Sequence, residues 1–138
     1  MKLINLKVNT KNNNYSIIIG SSLFSNFFKI IKNHSIGFKK CLLVIDKNIS
    51  KNIVKELISS LKKKKIFIHY LKASEINKDQ KNVNIILDIM LDKNFSREDC
   101  LISIGGGITV YVSGFAASLF KRGLKFINTP TTLLAQFD

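Results

Sequence analysis

Two short and mostly apolar runs constrain the fold most, CLLVID at residues 41–46 and CLISI at residues 100–104. A strand whose two faces are both covered by helices is apolar along most of its length, whereas a strand with one solvent-exposed face alternates apolar and polar residues. Segments with helical spacing separate these runs from two further strand-like segments, IFIHYL at 66–71 and LKFIN at 124–128. The sequence therefore predicts an α/β fold, a parallel sheet with covering helices.

The helical segments are amphipathic, with apolar residues three and four positions apart. They are SLFSNFFKIIKN at 22–33, SKNIVKELISSLKKKK at 50–65, NKDQKNVNIILDIMLDKN at 77–94, and a mostly apolar helix from Ile108 to Phe120. In the third segment we expect Asn77 to cap the helix with Gln80 as its capping-box partner, and Leu91 to lie on the buried face. A chain of 138 residues is typical of one domain, and we predict a single domain over 1–138.

Residues 101–120 contain no charged side chain, and that length meets the bare criterion for a membrane span. Glycine is unfavourable inside a helix, however, and three adjacent glycines at 105–107 divide the run into a strand, a turn and a helix. The N-terminus is too polar for a signal peptide. Cys41 and Cys100 begin predicted buried strands, as small core residues in a reducing compartment do. We expect a cytoplasmic protein with no membrane partner.

The formal net charge of +13 raises the alternative of a basic nucleic-acid-binding module. Lysine supplies 20 of the 22 basic residues, whereas base readers and phosphate clamps favour arginine. Lysine, isoleucine, asparagine and phenylalanine also share AT-rich codons, so biased genome composition explains the charge equally well. We expect no nucleic-acid partner, and steeply salt-dependent DNA binding would support the alternative.

Polar or glycine residues follow each of the four predicted parallel strands. In chain order they are Asp46, the pair Glu75 and Lys78, the triplet Gly105, Gly106 and Gly107, and the pair Thr131 and Thr132. Ligands of open parallel sheets bind outside the carboxyl ends of the strands. The placement therefore predicts a ligand site at that edge of the sheet.

Taken separately, each of these features has an ordinary structural explanation. The triplet opens a helix and can hold a pyrophosphate on bare amides, or it is only a tight turn. Asp46 can accept hydrogen bonds from a ribose, or it caps the helix that follows. Glu75 and Lys78 can pair with each other in solvent, and the two threonines can form a local turn.

The stretch SIGGGITVYVSGFAASLFKRGLKFINTPTTLLAQFD, residues 103–138, resembles the centre of the 3-dehydroquinate synthases. The similarity includes the glycine triplet, the GFAA helix, the RG turn and the string PTTLLAQFD, and it extends upstream to YSIIIGSSL, VIDKNI and EINK. The resemblance implies a Rossmann-like NAD-binding domain, as in the N-terminal part of these lyases of the shikimate pathway, which serves chorismate and aromatic amino-acid biosynthesis.

The family eliminates phosphate from a seven-carbon sugar-acid phosphate (DAHP) and closes the ring to 3-dehydroquinate, with transient oxidation of a hydroxyl by NAD. The resemblance assigns residues to two groups. The cofactor residues are Asp46, Glu75, Lys78, Gly105, Gly106, Gly107, Tyr111, Thr131 and Thr132, and the substrate residues are Arg122 and Asp138.

This chain departs from the family pattern within the glycine motif. Tyr111 stands where the family has an aspartate, and Val110 where it has a glycine. The loss of a carboxylate weakens the predicted NAD site, and a β-branched residue conflicts with a turn that requires glycine conformations.

The family's C-terminal helical domain, with its zinc or similar divalent metal, has no counterpart in these residues. We therefore expect a truncated homologue that is inactive alone, or half of a split synthase whose partner is a separately encoded C-terminal chain. A homodimer, and another member of the superfamily such as a polyol dehydrogenase or a related sugar-phosphate cyclase, remain alternatives.

Overall fold

The computed structural model describes residues 3–9, 14–20, 27–33, 36–72, 80–122 and 124–130. The chain opens with an antiparallel pair, β1 (Leu3–Asn9) and β2 (Asn14–Gly20). The elements that follow are α1 (Phe27–Asn33), β3 (Lys40–Asp46), α2 (Lys51–Ser60), β4 (Lys65–Leu71), α3 (Gln80–Asp92), β5 (Cys100–Gly105), α4 (Gly107–Leu119) and β6 (Lys125–Pro130). The predicted alternation of strands and helices is confirmed.

The strands β3 to β6 form one parallel sheet in the order β4-β3-β5-β6. The central strands β3 and β5 contain the two mostly apolar runs, and every residue from Cys100 to Gly105 is buried. The edge strand β4 alternates more exposed and less exposed side chains over most of its length, as expected for a strand that is covered less completely. The predicted α/β class and the parallel sheet are therefore confirmed.

Helices cover both faces of this sheet. Alternate side chains of β3 and β5, such as Leu43 and Ile102, pack with α1 and α2 in one hydrophobic cluster. The intervening side chains, such as Leu42 and Leu101, pack with α3 and α4 in the other. This alternation follows from the two-residue period of a strand, and it explains why the central strands have no polar face.

The helices mostly follow the sequence pattern, with one correction on α3. Val83, Ile86 and Met90 are buried as the spacing predicts, but Leu91 is 58% exposed, so its assignment to the buried face is wrong. The next residue along the helix from Met90 is rotated by about 100°, which carries Leu91 away from the sheet. Asn77 lies outside the described residues, and the Gln80 side chain donates to Asn84 Oδ1 at 2.9 Å.

In the described ranges, no helix combines the length and apolarity that crossing a bilayer requires. The uncharged run at 101–120 instead forms the buried strand β5, the glycine turn and α4. The division at the glycines is therefore confirmed.

Candidate functional site

The sheet order creates a crevice at the carboxyl ends of β3 and β5. From β3 the chain passes to β4 on one side, and it then returns to place β5 on the other side of β3. Helices therefore cover opposite faces on the two sides of this point, and in open parallel sheets the ligand crevice lies here, between the loops that leave the two strands. Asp46 ends β3 and Gly105 ends β5, so both residues lie at this crevice.

The surroundings of Gly105 leave no room for a side chain at this site. A Cβ atom placed on Gly105 would lie 2.7 Å from Thr109 Oγ1, 2.9 Å from Thr109 Cβ and 3.0 Å from Asp46 Cβ. Side chains do not tolerate contacts this short. Asp46, Gly105 and Thr109 therefore form one packed group that joins β3, β5 and the first turn of α4.

Gly106 and Gly107 bring the chain into α4. Gly106 is the N-cap residue in an extended conformation, with φ −88°, and no side chain caps the helix there. The Gly106 carbonyl accepts the first helical hydrogen bond, from Val110 N at 3.1 Å. The remaining amides of the first turn point out of the helix, where the helix dipole favours an anion.

Asp46 does not cap the helix that follows it, so that alternative is wrong. The cap of α2 is Ser50, whose Oγ accepts a hydrogen bond from Asn52 N at 3.2 Å. Asp46 is half-buried, and its Oδ1 accepts from Asn48 N at 3.0 Å in a local turn. The carboxylate thus stays at the strand end, beside Gly105.

Val110 and Tyr111 both lie inside α4, so the predicted conflict at Val110 is wrong. Among the described residues other than glycine, only Asn94 and Lys121 have a positive φ, and Val110 has no need of a glycine conformation. The Tyr111 side chain is 53% exposed. Its ring stacks on Phe115 one turn later, with centroids 6.3 Å apart.

Several of the sequence-predicted residues lie outside the described ranges. These are Glu75, Lys78, Thr131, Thr132 and Asp138. Glu75 follows the end of β4 by four residues, and Thr131 directly follows Pro130, the last residue of β6. Arg122 lies in a short 3-10 turn after α4.

Sequence reasoning missed two buried hydroxyl groups on α4. Thr109 and Ser113 are fully buried, and among the residues that the structure describes neither Thr109 Oγ1 nor Ser113 Oγ has a hydrogen-bond partner. Nearby, the Ser103 hydroxyl lies 3.0 Å from Asn128 Oδ1, to which it donates. The sequence contains a signal for them, because two hydroxyl residues four positions apart share one face of a helix and this face is otherwise apolar.

Lysine side chains donate hydrogen bonds to backbone carbonyls at the opposite edge of the sheet, where the parallel strands begin. Lys40 Nζ donates to Asn94 O at 2.6 Å, Lys64 Nζ to Phe38 O at 2.6 Å, and Lys121 Nζ to Phe95 O at 3.0 Å. Helices α3 and α4 end at this edge, where their dipoles favour cations. Part of the large positive charge is therefore used in local structure.

The structure also shows the environment of the two predicted core thiols and of one histidine. Cys41 and Cys100 are free and buried, as predicted for small core residues. Burial lowers the pKa of His69 in β4 below its ordinary value. Across the part of the chain that the structure describes, no three His, Cys, Asp or Glu side chains come together as metal ligands do.

Sequence comparison relates the chain to one enzyme family. A family model described as "3-dehydroquinate synthase N-terminal" matches residues 68–138. A 3-dehydroquinate synthase of Pelagibacter ubique is 62% identical over 138 residues, which are 100% of this chain and 38% of that protein. One from Alkaliphilus metalliredigens is 36% identical, over 96% of this chain and 36% of that protein. The chain thus spans little more than a third of the length of these relatives.

Structural comparison finds the same fold in related synthases. A 2-deoxy-scyllo-inosose synthase, crystallised with carbaglucose-6-phosphate, NAD+ and Co2+, matches with a TM-score of 0.85 at 21% identity, over 96% of this chain and 36% of that one. A 2-epi-5-epi-valiolone synthase from Streptomyces hygroscopicus, with NAD+ and Zn2+ bound, matches with a TM-score of 0.61 at 27% identity, over 70% of this chain and 28% of that one. The fold expected from the sequence is confirmed.

Proposed function

The chain belongs to the 3-dehydroquinate synthase N-terminal family, and we propose that it is the part of such an enzyme that binds NAD+. The cofactor would lie in the crevice between β3 and β5. The match to 3-dehydroquinate synthases supports this assignment over the alternatives of a polyol dehydrogenase or a nucleic-acid-binding module.

One observation carries the proposal, namely the contact between the ends of β3 and β5. Asp46 Cβ lies 3.0 Å from the point that a Cβ on Gly105 would occupy. The carboxylate that we propose for the ribose is thereby next to the helix N-terminus that we propose for the diphosphate, at the position where α/β sheets bind dinucleotides. Because no side chain caps the N-terminus of α4, its backbone amides suit a phosphate group.

We assign the cofactor contacts as follows. Asp46 would accept from ribose hydroxyls, while the amides that begin α4 at Gly106 and Gly107 would donate to the diphosphate, next to Gly105. Tyr111 lies one turn further along the same helix. The proposal extends by family resemblance to further cofactor residues, which are Glu75, Lys78, Thr131 and Thr132, and to Arg122 and Asp138 as substrate residues.

The reaction proposed for the complete enzyme is the elimination of phosphate from DAHP and closure of the carbocycle to 3-dehydroquinate. NAD+ supplies a hydride acceptor that later returns the hydride, so that no net oxidation occurs. The residues of this crevice bind and orient the cofactor. We assign no metal-dependent step to them, because the described side chains do not form a metal-ligand set.

The proposal has consequences for partners and location. Turnover needs groups beyond this crevice, and we expect them to come from a C-terminal region, in the same or a separate chain, with a homodimer as the alternative assembly. We propose that the protein acts in the cytoplasm, in aromatic amino-acid biosynthesis. We expect the isolated chain to bind NAD+ without turning over substrate.

Calorimetric titration of the purified, folded chain with NAD+ tests the proposal. We expect saturable binding that is weakened at least tenfold by Asp46→Asn, since a hydrogen bond to a charged group contributes about 1.5–3 kcal/mol. Asp92→Asn is the matched control, because the Asp92 side chain is 76% exposed and lies on α3. A folded chain that does not bind NAD+, or equal weakening by both substitutions, would contradict the proposal.

A further inference from the structure

The two buried hydroxyls of α4 lack hydrogen bonds in a position where a partner is expected. A buried hydroxyl without a partner costs about 1–3 kcal/mol, and native proteins rarely keep such a group without a structural or functional reason. Thr109 and Ser113 both face the sheet, yet only Thr109 lies at the crevice. Its Oγ1 lies 2.7 Å from the point that a Cβ on Gly105 would occupy, and Asp46 Cβ lies 3.0 Å from that same point.

We infer that Thr109 is a positioning residue, whose hydroxyl donates a hydrogen bond to the Asp46 carboxylate when the cofactor is bound. This inference rests on the proposed function. Asp46 Oδ1 accepts from the nearby Asn48 amide, and the threonine hydroxyl has no acceptor among the described residues. In the inferred arrangement, the carboxylate that binds the ribose also accepts from the Thr109 hydroxyl, since Asp46 Cβ and Thr109 Oγ1 lie 3.0 Å and 2.7 Å from the same point beside Gly105.

Burial determines how Thr109 can act. The residue is fully inaccessible to solvent, so a ligand in the crevice does not touch its hydroxyl directly. Its effect must pass through a neighbour, and Asp46 is the charged neighbour at the crevice. Tyr111 lies in the same helical turn, and the family resemblance assigns it to the cofactor. Its side chain is directed outward and stacks on Phe115. Thr109 is therefore the polar group of α4 that is placed to hold the carboxylate.

The inference predicts opposite effects of one substitution on stability and on affinity. Thr109→Val keeps the shape and removes the hydroxyl, so the cofactor-free chain is expected to unfold at the same or a higher urea concentration. The affinity for NAD+ is expected to fall about tenfold, the effect of losing one charge-assisted hydrogen bond. Thr109→Ser retains the hydroxyl and is expected to restore most of the affinity. A merely structural role would move stability and affinity in the same direction.

Ser113→Ala is the matched control, because it removes the second unpartnered hydroxyl one turn further from the crevice. It is expected to leave the affinity for NAD+ unchanged. A double-mutant cycle then tests the route of the effect. In an Asp46→Asn background, Thr109→Val is expected to weaken binding much less than in the wild type, whereas independent action would give the same tenfold loss in both.

Five titrations with NAD+ separate the outcomes, on the wild type, Asp46→Asn, Thr109→Val, Thr109→Ser and the Asp46→Asn, Thr109→Val double variant. Wild-type binding with no loss in Thr109→Val, or with fully additive losses, overturns the inference and leaves the proposed function standing. A folded wild type that binds no NAD+ overturns the proposed function, and the inference falls with it. Non-additive losses, with rescue by Thr109→Ser, support the inference.

Discussion

Cys41 of β3 and Cys100 of β5 lie directly opposite each other across two parallel strands, and both side chains are fully buried. Burial raises the pKa of the Cys41 thiol to about 12, although the positive charge of Lys64 opposes this shift. Burial also raises the pKa of Cys100, and the neighbouring Cys41 raises it further. Both thiols are therefore protonated and shielded in the folded state.

The raised pKa values predict that the chain loses stability in alkaline solution. Above the ordinary thiol pKa of about 8.5 the unfolded chain releases its thiol protons while the folded chain keeps them. The unfolded state then binds fewer protons, so the free energy of unfolding falls with rising pH by about 1.4 kcal/mol per pH unit and thiol. The loss continues until the pH reaches the folded pKa of Cys41, about 12.

Urea unfolding at pH 8 and pH 10 measures this effect. The control is the variant Cys41→Ala with Cys100→Ala, in which lysine titration still contributes but thiol titration does not. The wild type is expected to lose about 2–4 kcal/mol more than this variant between the two pH values. Equal losses in both proteins would show that the thiols do not titrate on unfolding.

Gly105→Ala is expected to destabilise the chain by about 1–3 kcal/mol, the usual result of overpacking. The added Cβ would lie 2.7 Å from Thr109 Oγ1 and 3.0 Å from Asp46 Cβ. Gly37→Ala is the control, since a Cβ there meets nothing within 4 Å. The free energy of unfolding, from urea denaturation, is the measurement.

A second substitution tests whether Thr109 causes that loss. Removal of the Thr109 hydroxyl and methyl in a Gly105→Ala, Thr109→Ala double variant is expected to recover part of the stability. If Gly37→Ala is as destabilising as Gly105→Ala, close packing at the crevice is not the cause.

Asp99 is expected to stabilise the edge of the sheet at which β3 and β5 begin. It is 5% exposed, and its carboxylate accepts from Lys40 N at 3.2 Å and from Ser96 N at 2.9 Å. The Lys40 ammonium lies 3.7 Å from Oδ2. Loss of the carboxylate leaves these donors with weaker or missing acceptors. Asp99→Ala should therefore lower the free energy of unfolding by about 2–4 kcal/mol.

The matched control for this prediction is Asp92→Ala. Its carboxylate lies 3.6 Å from Lys93 Nζ but is 76% exposed, and a solvent-exposed ion pair of this kind contributes between about 0 and 1 kcal/mol. Urea unfolding curves of the two variants should therefore differ clearly in midpoint. Similar midpoints would mean that the Asp99 contacts contribute no more than a surface pair.

Tyr111→Asp is expected to tighten NAD+ binding about tenfold, because it introduces the carboxylate that the family motif has at this position, near the cofactor. The tyrosine ring is half exposed, so the change in the free energy of unfolding should be small, within about 0.5–1 kcal/mol. Ser118→Asp, an exposed position further along α4, is the control for added negative charge. Unchanged affinity in Tyr111→Asp would remove this residue from the proposed cofactor site.

The local pattern was sufficient to predict the strands and helices that the structure describes. The apolar runs at 41–46 and 100–104 predicted central strands because a strand covered on both faces has no polar side. The glycine triplet predicted the division of the uncharged run, since glycines interrupt a helix but suit a strand-to-helix turn. These properties depend on residues close together in the chain, which is why one sequence reveals them.

The sequence by itself determined the alternation of elements, and through its motifs the family of the chain. The tertiary structure decided which strand ends meet. The pairing of β3 with β5 places Asp46 beside Gly105, although 59 positions separate them in the sequence. It also assigned the cap of α2 to Ser50, turned Leu91 outward, and left Thr109 buried without an acceptor. Such contacts depend on how distant segments pack, and no periodicity in a single segment contains that information.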